Sequence, residues 1–379
     1  MTEHYLDNAA TTPVLPAAAQ KAAELMTEQF GNPSSLHQKG FLARQAVELA
    51  RAQVAEKLSA KPEELIFTSG GTEANNLAIF GAAHALRRRG NKIVTTMIEH
   101  DSVLGPMKEL ERQGCELVTI KPDDKGNIST EQLEAAIDEK TILVSMMLAN
   151  NETGAILPVR QAARHIKRNK LAALLHTDAV QAFGKLDCAP QKLGVDLMTV
   201  SAHKVHGPKG VGALYVRKGV HLLPRVFGGG QEGGLRSGTE STPLIAAFGE
   251  AAKALPKPTE MLPKMEALNL LLREKLNGLP GVFINSPECG EGYLPTVLNF
   301  SAGSVRAETM LHFLSERGVY VSSGSACGKA KPSHVLMAMD LPSERIASSL
   351  RASFSRFTTE EDILALAEGV AAGLQELRS

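Results

Sequence analysis

Between residues 63 and 216 the chain alternates short apolar, β-branched runs with longer stretches in which apolar positions recur every three to four residues. The short runs, at 65–68, 92–96, 116–120, 142–146, 172–177, 197–201 and 211–216, predict strands. The stretches 74–88, 102–113 and 130–138 have helical spacing. Strand and helix in alternation predict an α/β fold with a mainly parallel sheet covered on both faces, and such sheets bind ligands at the carboxyl ends of their strands. After Gly228 the pattern changes. A glycine-rich stretch to Gly238 leads into an Ala-rich helical pattern over 243–255, then Pro256-Lys257-Pro258 and a further helical segment to 276. Strand patterns near 282–285, 296–300 and 319–322 and helical patterns near 307–316 and 360–377 predict a smaller α+β unit. The expected division is a large unit over 13–245 and a small one built from 1–12 and 246–379, with a cysteine-bearing loop near 322–332.

Composition narrows the function classes. The 379 residues carry 41 basic and 41 acidic side chains, so no global charge favours nucleic acid or an anionic membrane. Aromatic residues are 4% with no Trp, which argues against base-stacking platforms. The apolar run 142–149 is far shorter than the ~20 residues of a membrane-spanning helix. The first residues have neither a basic nor an apolar region of the kind that marks a secretory signal. Cysteines at 115, 188, 289 and 327 are too widely spaced for a metal knuckle or a redox pair, and they fit the reducing cytoplasm.

Two glycine strings carry no weight. Gly228-x-Gly230-x-x-Gly233 matches a dinucleotide fingerprint, but it follows the sheet-forming region and opens no clear helix. Gly324-Ser-Ala-Cys-Gly-Lys-Ala has the wrong glycine spacing for a P-loop and no hydroxyl after its Lys.

Three other segments are chemically informative together. Thr68-Ser-Gly-Gly-Thr-Glu-Ala74 follows a strand and opens a helix, which presents backbone N–H groups and a hydroxyl to an anion. Its plainer reading is an ordinary N-cap by Ser69 or Thr72. The strand 174–178 ends in Asp178, either a loop-capping carboxylate or the counter-charge of a protonated heterocycle. At ~4 Å and an effective dielectric of 20 that attraction approaches ~4 kcal/mol, about three pK units. Ser201-Ala-His-Lys204 precedes a Gly/Pro loop at another strand end, either as a solvated surface lysine or as an amine placed for a Schiff base with an aldehyde cofactor. His203 and His206 lack a third ligand at metal spacing. A phosphate cup, a ring-nitrogen acid and an amine on successive strands are the fixtures that pyridoxal 5′-phosphate requires.

The chain also resembles the cysteine desulfurases of the NifS/IscS branch, class-V aminotransferase-like enzymes of fold type I. The resemblance rests on Tyr5-Leu-Asp-Asn-Ala-Ala-Thr-Thr, Phe30-Gly-Asn-Pro-Ser-Ser, Thr68-Ser-Gly-Gly-Thr-Glu-Ala-Asn-Asn, Glu99-His100, Asn150-Asn-Glu-x-Gly, His176-Thr-Asp-Ala-Val-Gln, Ser201-Ala-His-Lys, Gly234-Leu-Arg-Ser-Gly-Thr-Glu, Ser322-Ser-Gly-Ser-Ala-Cys and Arg351-x-Ser-x-x-Arg-Phe-Thr-Thr-Glu-Glu. These motifs run in order from residue 5 to about 361. The resemblance implies that Lys204 binds the cofactor covalently, Asp178 pairs with its ring nitrogen, Gln181 bonds its ring hydroxyl and His100 stacks on the ring and assists proton transfer. It implies phosphate contacts from Gly71, Thr72, Ser201 and His203, joined by Thr239 of a second subunit. Asn151, also a cofactor contact, and Arg351 would orient the substrate, with Arg351 making the bidentate carboxylate contact that guanidinium geometry suits. Cys327 would attack the sulfur of L-cysteine and carry it as a persulfide to a scaffold or carrier protein. The implied assembly is a homodimer without a nucleic-acid or membrane partner.

Cys327 separates a desulfurase from a transaminase. Lys329 and Lys331 follow it and should favour the thiolate over a reference thiol of pKa ~8.5. Cys115 and Cys188 adjoin strand patterns and fit the role of small buried hydrophobes. The stretch from Cys327 to Pro332 is slightly shorter than in Isc-type enzymes, Gly233 stands where Arg is usual and Ser355 where Gly is common. A selenocysteine lyase or small-substrate aminotransferase is the alternative within the class. A non-catalytic sulfur-trafficking protein would not need Lys204, Asp178 and Cys327 together.

Overall fold

A strand buried on both faces needs no polar alternation, so uninterrupted Val, Ile and Leu runs become the centre of a sheet. The structure, a computed structural model, describes residues 2–290, 292–323 and 332–377. Its strands in chain order are β1 (His4–Tyr5), β2 (Leu65–Thr68), β3 (Lys92–Thr96), β4 (Glu116–Ile120), β5 (Thr141–Ser145), β6 (Leu174–Asp178), β7 (Leu197–Ser201), β8 (Gly212–Val216), β9 (Val282–Ile284), β10 (Val297–Ala302), β11 (Val319–Tyr320) and β12 (Ser349–Ser353).

Seven strands form the main sheet in the order β2-β8-β7-β6-β5-β3-β4. The pairings β3–β4, β3–β5, β5–β6 and β6–β7 are parallel. β8 runs antiparallel to both β2 and β7, so β2 points the same way as β7. The carboxyl ends of all strands but β8 therefore gather at one edge of the sheet. Alternate residues of these strands enter different cores, as the two-residue period requires. Ile93, Leu143, Leu197 and Leu214 pack with Ala78 and Ile79 of the helix Gly71–Leu86, while Val94, Val144, Met198 and Ala213 pack into the core on the other face.

A second sheet, β12-β10-β9, is antiparallel, and β1 pairs in parallel with β11. Its own core contains Leu6, Met265, Leu272, Phe300, Leu350 and Val370. β12, with the sequence Ser-Leu-Arg-Ala-Ser, has no apolar run to announce it, yet every residue of it is buried. It tolerates burial because its polar groups are paired: the Ser349 hydroxyl donates to Asn299 Oδ1 at 3.0 Å and Arg351 to Asp7 at 2.9 Å. The helices Pro16–Thr27 and Gln38–Leu58, not anticipated from periodicity, pack on the helix Thr242–Lys253. Among the described residues no helix is long and apolar enough to cross a membrane.

The glycine string 228–233 lies in an irregular loop with one short turn, Glu232–Gly234. What holds that loop is a buried ion pair. Arg51 gives Nη2 and Nη1 to the two oxygens of Glu232 at 2.8 and 2.9 Å, and the Phe67 N–H donates to the same carboxylate at 2.8 Å. The loop is thereby pinned to β2, the strand that feeds the first functional turn. Glu232→Ala leaves a buried guanidinium without its carboxylate and is expected to cost about 3–5 kcal/mol. A urea unfolding curve checks this, and an unchanged midpoint would remove the pair from the list of stabilising contacts.

Candidate active site

Beyond Thr68 the chain turns through Ser69 and Gly70 into the helix Gly71–Leu86. Gly70 has φ 151°, a conformation that a Cβ disfavours. No side chain caps this helix, so neither Ser69 nor Thr72 acts as an ordinary N-cap and the first-turn N–H groups stay available. Glu73 turns back instead and accepts the Ser69 N–H at 2.6 Å and Arg236 Nε at 2.9 Å. Burial opposes ionisation of Glu73, but these hydrogen bonds outweigh it and hold the carboxyl below its ordinary value.

The turn opens on a cleft of about 490 Å³ lined by Thr11, Gly71, Thr72, Ser201, His203 and Lys209, among others. The Ser201 hydroxyl is buried there with no hydrogen-bond partner. Burial, helped by Lys204 and Lys209, pushes His203 down to about 4, so its ring is neutral near pH 7. Its Nδ1 lies 3.3 Å from Thr11 Oγ1. An uncapped helix N-terminus, an orphaned hydroxyl and a lysine make a site for a phosphate group.

Asp178 is the last residue of β6 and is buried. Its Oδ2 accepts Asn75 Nδ2 at 2.8 Å and its Oδ1 accepts the Val180 N–H at 2.9 Å. On the neighbouring strand, β7 ends at Ser201 and the turn Ala202–Lys204 delivers Lys204. Lys204 Nζ donates to the carbonyls of Ala9 and Ala10, both at 2.6 Å. Burial, then the charges of Arg351 and Lys185, push its ammonium down to about 7. Gln181 donates from Nε2 to the Ala9 carbonyl at 2.9 Å and accepts Lys185 Nζ on Oε1 at 3.4 Å. Burial pushes Lys185 itself down to about 8. An amine of depressed basicity next to a buried carboxylate and beyond a candidate phosphate cup fits pyridoxal 5′-phosphate.

His100 is exposed at the start of the helix Asp101–Arg112. Its Nδ1 accepts the Ser102 N–H at 3.1 Å and lies 2.8 Å from Ser102 Oγ. Its neighbour Glu99 is wholly buried, and burial pushes that carboxyl up to about 8 although Thr96 Oγ1 and the Met147 N–H both donate to it. Glu99 thus ties the end of β3 to the segment after β5.

Arg351 projects from the middle of β12, buried, and gives Nη2 to Asp7 Oδ1 at 2.9 Å and Nη1 to the Asn151 carbonyl at 3.0 Å. Its Nε is buried without a partner. Thr239 is exposed and does not line the cleft of its own chain. Cys327, Lys329 and Lys331 lie outside the described residues. Both flanks of that segment are tied to the site. Ser322 exchanges backbone hydrogen bonds with Arg351 at 3.1 and 2.6 Å. Ser333 Oγ donates to Glu152 at 2.5 Å and His334 Nε2 to the Glu99 carbonyl at 2.9 Å.

Of the other cysteines, burial pushes Cys188 up to about 12 and raises Cys115, so neither is a thiolate near pH 7, while Cys289 is exposed. Among the described residues no cluster of His, Cys, Asp and Glu could hold a metal ion. Sequence reasoning gave no role to Asp7, Asn75, Ser102, Lys185 or Lys209. Asp7 and Asn75 stand inside the motifs given above and Lys209 in the Gly/Pro loop after Lys204, whereas Ser102 and Lys185 follow such motifs.

Residues 4–366 match the aminotransferase class-V family. A cysteine desulfurase IscS of Dictyoglomus turgidum is 41% identical over 95% of this chain and 92% of its own. Among solved structures, a NifS-like protein superposes with a TM-score of 0.92 at 38% identity, covering 99% of this chain and 100% of its own. A structure described as SspA in complex with cysteine gives 0.82 at 34% identity over 94% of this chain and 100% of its own. With that agreement over nearly its whole length, the chain belongs to the class-V aminotransferase family, in the IscS/NifS-like cysteine desulfurase branch.

Proposed function

We propose that this chain is a pyridoxal 5′-phosphate-dependent cysteine desulfurase that converts L-cysteine to L-alanine and keeps the sulfur on Cys327 as a persulfide. The observation that carries the reading is the convergence at one sheet edge of an uncapped helix N-terminus, the buried Asp178 carboxylate and the Lys204 amine, whose basicity burial depresses. When bound, the cofactor supplies an aldehyde that condenses with amines and a protonated ring that draws electrons from the substrate α-carbon.

The residues around that cleft divide the work. Gly71, Thr72, Ser201 and His203 hold the phosphate, with Thr239 contributed by a second copy of the chain. Asp178 keeps the ring nitrogen protonated, Gln181 donates to the ring hydroxyl and His100 covers the ring face. Lys204 would hold the cofactor through its amine and would serve as the base that moves protons at the substrate carbon. Asn151 and Arg351 orient the substrate carboxylate. The Cys327 thiolate attacks the substrate sulfur; an S–S bond forms as the Cβ–S bond breaks, the electron pair stays with the carbon skeleton, and protonation there gives alanine. The tethering of Ser322 to Arg351 and of Ser333 to Glu152 supports this role, since it holds both flanks of the Cys327 segment beside the residues that meet the substrate.

The same reading takes 13–245 as the cofactor-binding unit and 1–12 with 246–379 as the smaller one; the core around Leu6 and Phe300 is drawn from the smaller one, while Phe248, Leu294, Val297 and Val335 of that unit pack into the core of the main sheet. It makes the protein a cytoplasmic homodimer that hands sulfur to an acceptor protein for iron–sulfur cluster assembly or for tRNA or cofactor thiolation. Leu36, 99% exposed, and Phe227, 82% exposed, are apolar surface that a second copy would cover.

Lys204→Ala should lose both turnover and the visible absorbance of the covalently bound cofactor, and retention of either would move the amine elsewhere. Because Lys204 sheds its proton near pH 7, the amine is a poor nucleophile below that pH and a competent one above it. The rate of covalent cofactor uptake by the apoprotein should therefore rise to a plateau by about pH 8, whereas an ordinary lysine would keep climbing toward its usual pKa of ~10.4. Cys327→Ser should bind the cofactor and L-cysteine yet release no alanine, while Cys115→Ser and Cys289→Ser stay active. Mass spectrometry after one addition of cysteine should find the extra sulfur on the Cys327 peptide alone. Undiminished alanine release by Cys327→Ser would favour the lyase or aminotransferase alternative.

A further inference from the structure

Asp178 and His100 are joined by two side chains to which the reading above gives no part. Asn75, completely buried, places Nδ2 2.8 Å from Asp178 Oδ2 and 2.8 Å from Ser102 Oγ. Ser102 Oγ in turn lies 2.8 Å from His100 Nδ1, and the Ser102 backbone N–H donates to the same nitrogen at 3.1 Å.

The hydrogens in this chain of contacts have one consistent arrangement. An ionised carboxylate only accepts, so the Asn75 amide must turn its NH2 toward Asp178; the flipped amide would set oxygen against oxygen. The second hydrogen of that NH2 goes to Ser102 Oγ, which leaves the hydroxyl its own hydrogen to give to His100 Nδ1. The backbone N–H of Ser102 can only donate. Nδ1 thus receives two donors and carries no hydrogen, and a neutral imidazole then carries its hydrogen on Nε2. Asn75 Oδ1 is buried with no partner, so it is the two bonds from Nδ2, not any satisfaction of Oδ1, that hold the amide this way round.

We propose that Asn75 and Ser102 form a positioning relay that transmits the charge of Asp178 to His100 and fixes the imidazole as its Nε2–H tautomer. His100 then presents a hydrogen-bond donor at Nε2, suited to an anionic group of the bound substrate such as its thiolate. A proton can be taken up at Nδ1 only if the Ser102 hydroxyl turns away. The roles of Asp178 and His100 rest on the functional reading above, but the tautomer follows from the hydrogen bonds alone.

The test is ¹⁵N NMR of the histidine-labelled holoenzyme, in which bare and hydrogen-bearing ring nitrogens differ in shift, with the His100 signals assigned by their loss in His100→Gln. In the wild type, Nδ1 should be bare and Nε2 should carry the hydrogen. Ser102→Ala removes the closer of the two donors and leaves Nδ1 only the backbone one at 3.1 Å, so the weaker bias should give a mixture of tautomers and lower kcat by about threefold to tenfold, with little change in KM. Ser102→Thr keeps a hydroxyl and should restore both. Asn75→Leu frees the hydroxyl to turn to Asp178 and should reproduce the mixture. A hydrogen on Nδ1 in the wild type, or a tautomer that neither Ser102→Ala nor Asn75→Leu disturbs, would overturn the relay. Absence of alanine formation by a wild type with the expected tautomer would instead fall on the desulfurase reading and leave the relay standing.

Discussion

A carboxylate shut away from water at the end of a central strand must be supplied with hydrogen-bond donors, and meeting that need at Asp178 organises the rest of the site. One donor, the Val180 N–H, shapes the turn after β6. The other, Asn75, belongs to the helix whose uncapped N-terminus opens on the cleft, so that N-terminus and the carboxylate are set relative to each other through a single side chain. Because β6 and β7 are parallel neighbours, the turn that carries Lys204 leaves the sheet beside Asp178. The site is therefore assembled by strand order, and no one stretch of sequence contains it.

Charge balance is the second constraint. Burial depresses the basicity of both Lys204 and Lys185, Arg351 adds to it at each and Lys185 at Lys204, with Asp7 and Asp178 as the acids that oppose the effect at Lys204. The amino-terminal segment supplies much of the compensation. It gives Asp7 to Arg351, the Ala9 and Ala10 carbonyls to Lys204, and the Ala9 carbonyl to Gln181. An Asp7–Ser353 bridge to β12 and the Ala9 N–H donated to Ser353 Oγ at 2.8 Å fix that segment against the smaller sheet. Residues that look like an unstructured beginning of the chain thus bridge the two sheets and solvate buried cations with backbone oxygens.

Arg351 shows how the two halves meet. It comes from a polar strand of the smaller sheet, reaches the Asn151 carbonyl in the segment after β5 and pairs through its backbone with Ser322 at the edge of the Cys327 segment. A guanidinium with a buried, unpartnered Nε is costly in a folded chain, and that cost is intelligible where an anionic ligand is to be received.

Strand runs such as Ile93-Val94 and Leu197-Met198, and the helical spacing that follows them, made the parallel sheet and its functional edge readable without a structure, because burial on two faces imposes a pattern on the chain itself. The strings around Gly71, Asp178 and Lys204 were legible for the same reason: each lies at a strand end, where local sequence dictates the turn. The antiparallel course of β8, the strand β12 with its alternating serines and arginine, and the partners of the site residues were not. Asn75 meets Ser102 and Asp178, and Asp7 meets Arg351, across distances in sequence that carry no periodic signal. The sequence by itself determined the elements and the chemical inventory, since those depend on local burial and side-chain chemistry. Which donors reach which acceptors, and hence how basic Lys204 is and which nitrogen of His100 carries its hydrogen, only the tertiary structure decided, because those quantities depend on desolvation and on hydrogen bonds between segments brought together by the fold.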